Sequence, residues 1–412
     1  MKQRGPALGG QAGAGMSTRN LRPGIREFGL AAALVIATSL AACQSTGDVA
    51  GALDPAALEA GAAQSGPLSG AQSLGKGSTK IAMLLPLSAA GRAGEEGRRM
   101  RDAAQLAMAD LGNELVTLTI EDTGGDNSRS QDLASKAMAS GARILIGPTE
   151  LPAAQHLVAM SGRRPPVLAL ADNFSGGAGV YAVRLVEADS AAAGATAIAE
   201  KGARKFVLFF AKGANSDRVE KRVANGLSIH GASLAVAMPY MGDGAGAEKA
   251  VADMAALVEA PEAIIIASGD LDPKPLIATL RAKGFLRKGV SLIGTHRWLD
   301  HPLSDPQFDG AYLAALDPAE TGPIASRFES TFNYKPDVSV AYAYDMVALS
   351  AGIASARGPD GFSKEVLENP TGFRGSTGIF RFRADGASQR SMPFYRIQKG
   401  ALKEIQKSTS SF

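Results

Sequence analysis

Eight short apolar runs recur along this chain with helix-like segments between them, and that alternation limits its fold more than any other feature. The runs are "KIAMLLPLS" (80–88), "LVTLTIED" (115–122), "ARILIGPT" (142–149), "PVLALAD" (166–172), "KFVLFFAK" (205–212), "SLAVAMPY" (233–240), "EAIIIASGD" (262–270) and "VSLIGTH" (290–296). Between most of them lie about ten to twenty residues with helical spacing, such as "MRDAAQLAMADLG" (100–112). Continuous apolar strands separated by helices imply parallel sheets covered on both faces. Four runs precede "VYAVRLVEADS" (180–190) and four follow it, so the pattern predicts an α/β chain of two doubly wound, Rossmann-like lobes. The loop after the first run reads "PLSAAGRAGEEG" (86–97) and contains no GxGxxG, which argues against a dinucleotide fold.

In open α/β sheets the functional loops follow the carboxyl ends of the strands. Here they begin at Ser88, Asp122, Thr149-Glu150, Asp172-Asn173, Lys212, Tyr240, Asp270 and His296-Arg297-Trp298. If two lobes face each other, these residues line the cleft. Asp, Asn, Ser and Thr also favour such positions as turn formers and helix caps. Trp298, the one tryptophan, stands beside Arg297 and His296, and that company places it in the cleft. Catalytic patterns are missing. The histidines are His156, His230, His296 and His301, and "HRWLDH" lacks HExxH spacing. There is no GxSxG elbow. Ser73 to Lys76 forms an SxxK, and Gly70 to Gly75-Lys76 nearly a P-loop, but neither has the required fold around it. The expectation is a protein without enzymatic activity, metal or cofactor.

The single cysteine, Cys43, follows a basic segment with Arg19, Arg22 and Arg26 and then "LAAALVIATSLAA" (30–42), thirteen residues without a charge. This is the layout of a secretory signal, and the run is too short to span a bilayer, which takes about 20 apolar residues. Leu40-Ala41-Ala42-Cys43 resembles the lipobox of bacterial lipoproteins, which implies residues 1–42 as signal peptide and Cys43 as the lipidated (palmitate-bearing) first residue of the mature chain. Met16 is a second candidate start.

Removing that peptide changes the charge balance. The chain holds 43 Lys+Arg and 40 Asp+Glu, and the first 42 residues hold five and one of these, leaving 38 against 39. Nothing remains to suggest nucleic acid. Residues 44–78, rich in Gly, Ala and Ser, read with Cys43 as a flexible tether, about 30 to 35 Å long on average and about 120 Å when pulled straight.

Four segments together resemble the type 1 periplasmic binding proteins of the Leu/Ile/Val-binding branch. They are residues 80–112, "ARILIGPTELPAAQ" (142–155) with its Gly-Pro loop, "RFESTFNYKPDVSVAYAYDMVALSAGIA" (327–354) with Tyr344-Asp345, and "FRGSTGIFRFRADGASQR" (373–390) as a closing hairpin. The resemblance implies a clamshell with three hinge crossovers, near Arg184, Tyr312 and Pro393. One lobe would comprise residues 79–183 and 313–392, the other 184–312 and 393–412. It implies a non-catalytic receptor for a small polar or amino-acid-like solute, serving an ABC-type permease in the periplasm and held by lipid to the envelope membrane. Gln44, and not Asp, after the cysteine leans toward the outer membrane. The implied ligand contacts are Ser88, Thr149, Glu150, Asp172 and Asn173 on the first lobe, and Tyr240, Asp270 and Trp298 on the second.

The chain departs from the branch where an amino acid's carboxylate would sit. Leu151-Pro152-Ala153-Ala154 replace serines, and Ala171-Asp172-Asn173-Phe174 bring a carboxylate where a small residue and a threonine are expected. Glu150 and Asp172 would repel an anion and favour a cation or hydroxyl donors. The "MLLPLS" opening, the lipobox and the altered pocket also resemble lipoproteins that activate penicillin-binding proteins, in which such a clamshell docks a peptidoglycan synthase. No helical-repeat domain of the kind those activators carry precedes it here. The expected function is the solute receptor, with activation of a penicillin-binding protein as the alternative.

Overall fold

The computed structural model describes residues 71–213 and 216–412. The expected signal peptide, Cys43 and most of the expected tether lie outside the described residues.

The first lobe is built on β1 (Gln72–Leu74), β2 (Thr79–Leu85), β3 (Val116–Asp122), β4 (Ile144–Ile146), β5 (Val167–Ala169) and β6 (Val180–Ala182), in the order β1-β3-β2-β4-β5-β6. All pairs are parallel except β1 with β3. Its helices are α1 (Gly91–Ala107), α2 (Asn127–Ala139) and α3 (Leu151–Ala159). Strand β2 shows why its run is apolar throughout. Ile81, Met83 and Leu85 point into one core, and Ala82 and Leu84 into the core on the other face.

The second lobe is built on β7 (Lys205–Ala211), β8 (Ser233–Tyr240), β9 (Ala263–Ala267), β10 (Ser291–Ile293), β11 (Tyr312–Ala314), β15 (Phe394–Gln398) and β16 (Ala401–Gln406), in the order β16-β15-β11-β10-β9-β7-β8. Strands β7 to β11 are parallel; β15 and β16 extend the sheet antiparallel. Helices α6 (Gly244–Ala255) and α7 (Lys274–Ala282) cover one face; α4 (Glu187–Glu200) and α5 (Ser216–Ile229) cover the other. Alanines and Gly194 let α4 lie close to the sheet, since a Cβ on Gly194 would come within 2.8 Å of Ile293.

Between β11 and β15 the chain returns to the first lobe as α8 (Pro318–Phe332), α9 (Val338–Arg357), α10 (Lys364–Leu367) and the sheet β12 (Phe373–Gly375), β13 (Gly378–Phe382), β14 (Ser388–Arg390). Among the described residues α9 alone has the length and apolarity of a membrane span, and it is mostly buried in the lobe's core. The chain thus passes between the two large sheets after Ala182, Ala314 and Arg390. Buried Arg390, at the last passage, ties it to the first. It donates to Val183 O and to Thr377 Oγ1, and it stacks between Tyr342 and Phe380. Tyr342 Oη accepts the Leu185 N–H at 2.9 Å.

Two expected boundaries move. Residues 72–74, which composition places in the tether, pair with β3 as an edge strand, and Lys76 N–H bonds Asn113 O at 2.7 Å. Residues 313 and 314, which the resemblance places in the first lobe, belong to the second sheet, where Leu313 and Ala314 pair with Tyr395 and Phe394.

Candidate functional site

The cleft lies where the carboxyl ends of the two parallel sheets meet. On the first lobe Asp122 organises the base. Its Oδ1 accepts the N–H groups of Ser88 at 3.0 Å and Gly124 at 2.9 Å, so exposed Ser88 is held by its backbone. Burial presses the Asp122 carboxyl upward, but these bonds and Arg129 keep it below its ordinary range. Thr149 is half-buried in the loop after β4. Its neighbour Glu150 turns into its own lobe and accepts from Thr123 Oγ1 at 2.6 Å and Ser130 Oγ at 2.9 Å. The expectation that Glu150 meets a ligand is corrected: both of its oxygens serve to fasten the loop after β3 and helix α2.

Asp172 is the meeting point of the lobes. It accepts from Arg297 Nη2 of the second lobe, and Arg184, at the first crossing, lies 4.0 Å away. Arg184 is itself paired with Glu96 at 2.5 Å. Burial would raise the Asp172 carboxyl, but Arg184 and Arg297 outweigh it and hold it below the usual range. The reading that Asp172 repels anionic ligands is therefore corrected, because its charge is already matched. Asn173 follows in the left-handed region, φ 56°, a conformation its short amide tolerates. A second inter-lobe bond runs from Arg218 of α5 to Ser175 Oγ.

On the second lobe Tyr240, at the end of β8, is buried and its hydroxyl has no partner among the described residues; burial, with Glu187 and Asp272 nearby, pushes that hydroxyl up. Asp270 is exposed at the rim. Glu187, in the first turn of α4, accepts Gly269 N–H at 3.0 Å and Thr295 Oγ1 at 2.8 Å, and burial raises its carboxyl above the ordinary range. His296 is pushed down to about 3 by burial and by Arg297, so it is neutral at any working pH. Trp298 is corrected outright. It is wholly buried, packs on Phe308 at 5.2 Å, and lies so close to Gly294 that a Cβ there would meet its ring at 2.3 Å. The residue that reaches the cleft is its neighbour, Arg297.

The Asp172–Arg297 pair separates two cavities. The larger, about 350 Å³, is walled mainly by the second lobe, with Glu187, Lys212, Arg218, Tyr240 and Asp270, and by Asn173 from the first. The smaller, about 200 Å³, lies toward Arg92, Glu96, Arg184, His296 and Tyr342. Arg297 borders both. Lys212 and Asp270 have no ion-pair partner among the described residues. Nor do the described residues gather three His, Cys, Asp or Glu side chains suited to a metal ion. Sequence reasoning passed over Glu187, Arg184 and Arg218 as contributors. Only Glu187 gave a signal: an acid directly after the crossing, in a helix's first turn.

Two facing α/β lobes with a polar cleft at their strand ends define a binding-protein clamshell. The sequence profile described as periplasmic binding protein matches residues 78–401, and the chain belongs to that family. Solved structures agree in fold. An ABC transporter substrate-binding protein from Desulfitobacterium hafniense in complex with Leu superposes with TM-score 0.58 at 15% identity, over 79% of this chain and 99% of that one. A solute-binding protein of an ABC transporter from Rhodopseudomonas palustris BisB5, bound to 3,4-dihydroxybenzoic acid, gives 0.58 at 13%, over 81% and 97%. The C-domain of LpoA (YraM) from Haemophilus influenzae, a regulator of PBP1A, gives 0.58 at 18%, over 79% and 100%. No curated protein sequence matches the chain.

Proposed function

We propose that this protein is a non-catalytic solute receptor of the cell envelope, lipid-anchored through Cys43, that takes one small polar solute into the larger cavity and serves an ABC-type uptake system. The observation that carries this reading is the wall of that cavity. A space of about 350 Å³ is bordered by a buried, unpartnered Tyr240 hydroxyl and by Lys212 and Asp270, which have no ion-pair partner among the described residues. Unpaired polar groups converging on a cleft of that size are what a polar ligand completes. The departures from the amino-acid pocket at Leu151–Ala154 and Asp172 speak against a free α-amino acid held in the usual way. The test is thermal unfolding of the full-length chain against acids, amides, polyamines and sugars. A solute at about 100 times its Kd adds about 2.7 kcal/mol, and Tyr240→Phe or Lys212→Ala should shrink the shift. No shift across the panel contradicts the reading.

One observation favours a second reading. The lobes are joined by the chain's own side chains, Asp172 to Arg297 and Ser175 to Arg218. A clamshell closed by internal bonds suits a docking surface, as in activation of a penicillin-binding protein, and the LpoA domain superposes with the same TM-score as the two solute-binding proteins described above. Its test is stimulation of a penicillin-binding protein from the same envelope by the purified full-length chain.

A further inference from the structure

We propose that Asp172 is a built-in counter-ion holding Arg297 in the place of a solute's own anionic group, so that the cleft takes carboxylate-bearing solutes by exchange against Asp172. This names the ligand class of the site proposed above and rests on that reading.

Four features of the pair support exchange. Arg297 is the more enclosed partner: the side chains are 12% and 40% exposed, and apart from the two arginines Asp172 Oδ1 is held, among the described residues, by the Asn173 N–H alone, at 3.1 Å. The loop that carries Arg297 is anchored on both sides, by the His296 N–H on Ser190 Oγ at 2.9 Å and by Trp298 in the core. The guanidinium is only partly used, since its Nε is buried without an acceptor among the described residues. Finally, Asp172 has a second cation in reach, Arg184 at 4.0 Å, which Glu96 already holds in position. Asp172 can therefore release Arg297 and keep a cationic neighbour.

The reverse does not hold for Arg297. Without Asp172 it would be a mostly buried cation whose nearest acids, Glu187 and Asp270, lie in the wall of the larger cavity and make no ion pair with it among the described residues. A buried charge stripped of its partner is strongly unfavourable, so an anion must take the vacated place. Planar guanidinium geometry favours a carboxylate, which it can meet with two parallel bonds. Lys212 and Arg218 border the same cavity and offset Glu187 and Asp270, so the charge left uncompensated in its wall once Asp172 withdraws is that of Arg297.

The experiment is calorimetric titration of the full-length chain with three acid and amide pairs: benzoate and benzamide, glutarate and glutaramide, N-acetylleucine and its amide. Wild type should bind at least one acid and none of the amides. Asp172→Asn should bind that acid about tenfold tighter or more, having removed the competitor. Arg297→Gln should lose the acid, and Arg297→Lys should retain part of its affinity. Unfolding midpoints of each variant check that the lobes are folded. Tightening on Asp172→Asn together with loss on Arg297→Gln supports the proposal. Unchanged or weaker acid binding by folded Asp172→Asn overturns it, as does equal binding of an acid and its amide. An uncharged solute that binds regardless of Arg297 overturns the exchange while leaving the solute-receptor reading in place. A chain that binds nothing in any form overturns both.

Discussion

Replacing Asp345 by Asn tests how the first lobe holds its closing hairpin, and the size of the effect follows from the bonds. Asp345 is 3% exposed and accepts four hydrogen bonds from the turn between β12 and β13. Oδ1 takes Ser376 N–H and Oγ, both at 2.7 Å; Oδ2 takes Thr377 N–H at 2.9 Å and Oγ1 at 2.5 Å. The approach requires Gly375, where a Cβ would sit 2.5 Å from the carboxylate. Thr377 Oγ1 in turn receives Arg390, which reaches Val183 at the first crossing. Asparagine is the same size and keeps one oxygen, but its NH₂ would face two donors of Thr377. Hydrogen bonds to a charged acceptor contribute about 1.5–3 kcal/mol each, and a buried donor left unpaired costs about 1–3 kcal/mol. Two such losses, less some relaxation, give about 3–5 kcal/mol. Urea unfolding of the full-length chain should show that drop at unchanged denaturant slope. A loss below about 1 kcal/mol would refute the assignment of this carboxylate as the hairpin's fastening.

Trp298→Ala should cost about 3–5 kcal/mol in the same assay, because it empties a fully buried site against Phe308 and Gly294; a near-neutral result would return Trp298 to the cleft. Gly386→Ala should destabilise by about 2 kcal/mol or more, since φ is +79° and the new Cβ would lie 2.2 Å from Gly177 N; chemical denaturation reads it directly. Glu187 has its carboxyl raised in the fold, so its contribution is full below its unfolded value and lost as pH rises through the folded one. Glu187→Gln should therefore flatten the fall in stability above about pH 4.3 and cost little at pH 7, which melting curves across pH would show. His296, already neutral, should show no imidazole titration between pH 5 and 8 by NMR, and a midpoint in that window would contradict its burial.

Much of the architecture was legible in local pattern. Runs such as "EAIIIASGD" are apolar at every strand position because β9 packs Ile264 and Ile266 into one core and Ala263, Ile265 and Ala267 into the other. Loops at strand ends could be listed because Pro86, Asp122 and Asp270 close their runs. The direction in which a loop side chain points was not legible. Glu150 turns inward because Thr123 and Ser130 wait for it, 27 and 20 residues away. Asp172 is neutralised by a guanidinium 125 residues distant. Neither partner can be found from spacing, since both depend on how strands are ordered and lobes are faced. Trp298 misled for a related reason. Two polar residues directly before it, His296 and Arg297, suggest a cleft, but in a short 3₁₀ turn adjacent side chains diverge, and Arg297 took the cleft while the indole took the core. Strand β1 was missed because Gln72–Leu74 is too short to show alternation, and its pairing with Leu118–Ile120 supplies the order instead.

The most direct test of the central claim, that the cleft holds a small solute, is native mass spectrometry of the full-length chain extracted gently from its own envelope. A solute-filled cleft gives a mass excess of one small molecule per chain, released on denaturation and absent from Arg297→Gln. A chain of bare mass that arrives with a penicillin-binding protein in fixed ratio would contradict it and make the clamshell a docking surface.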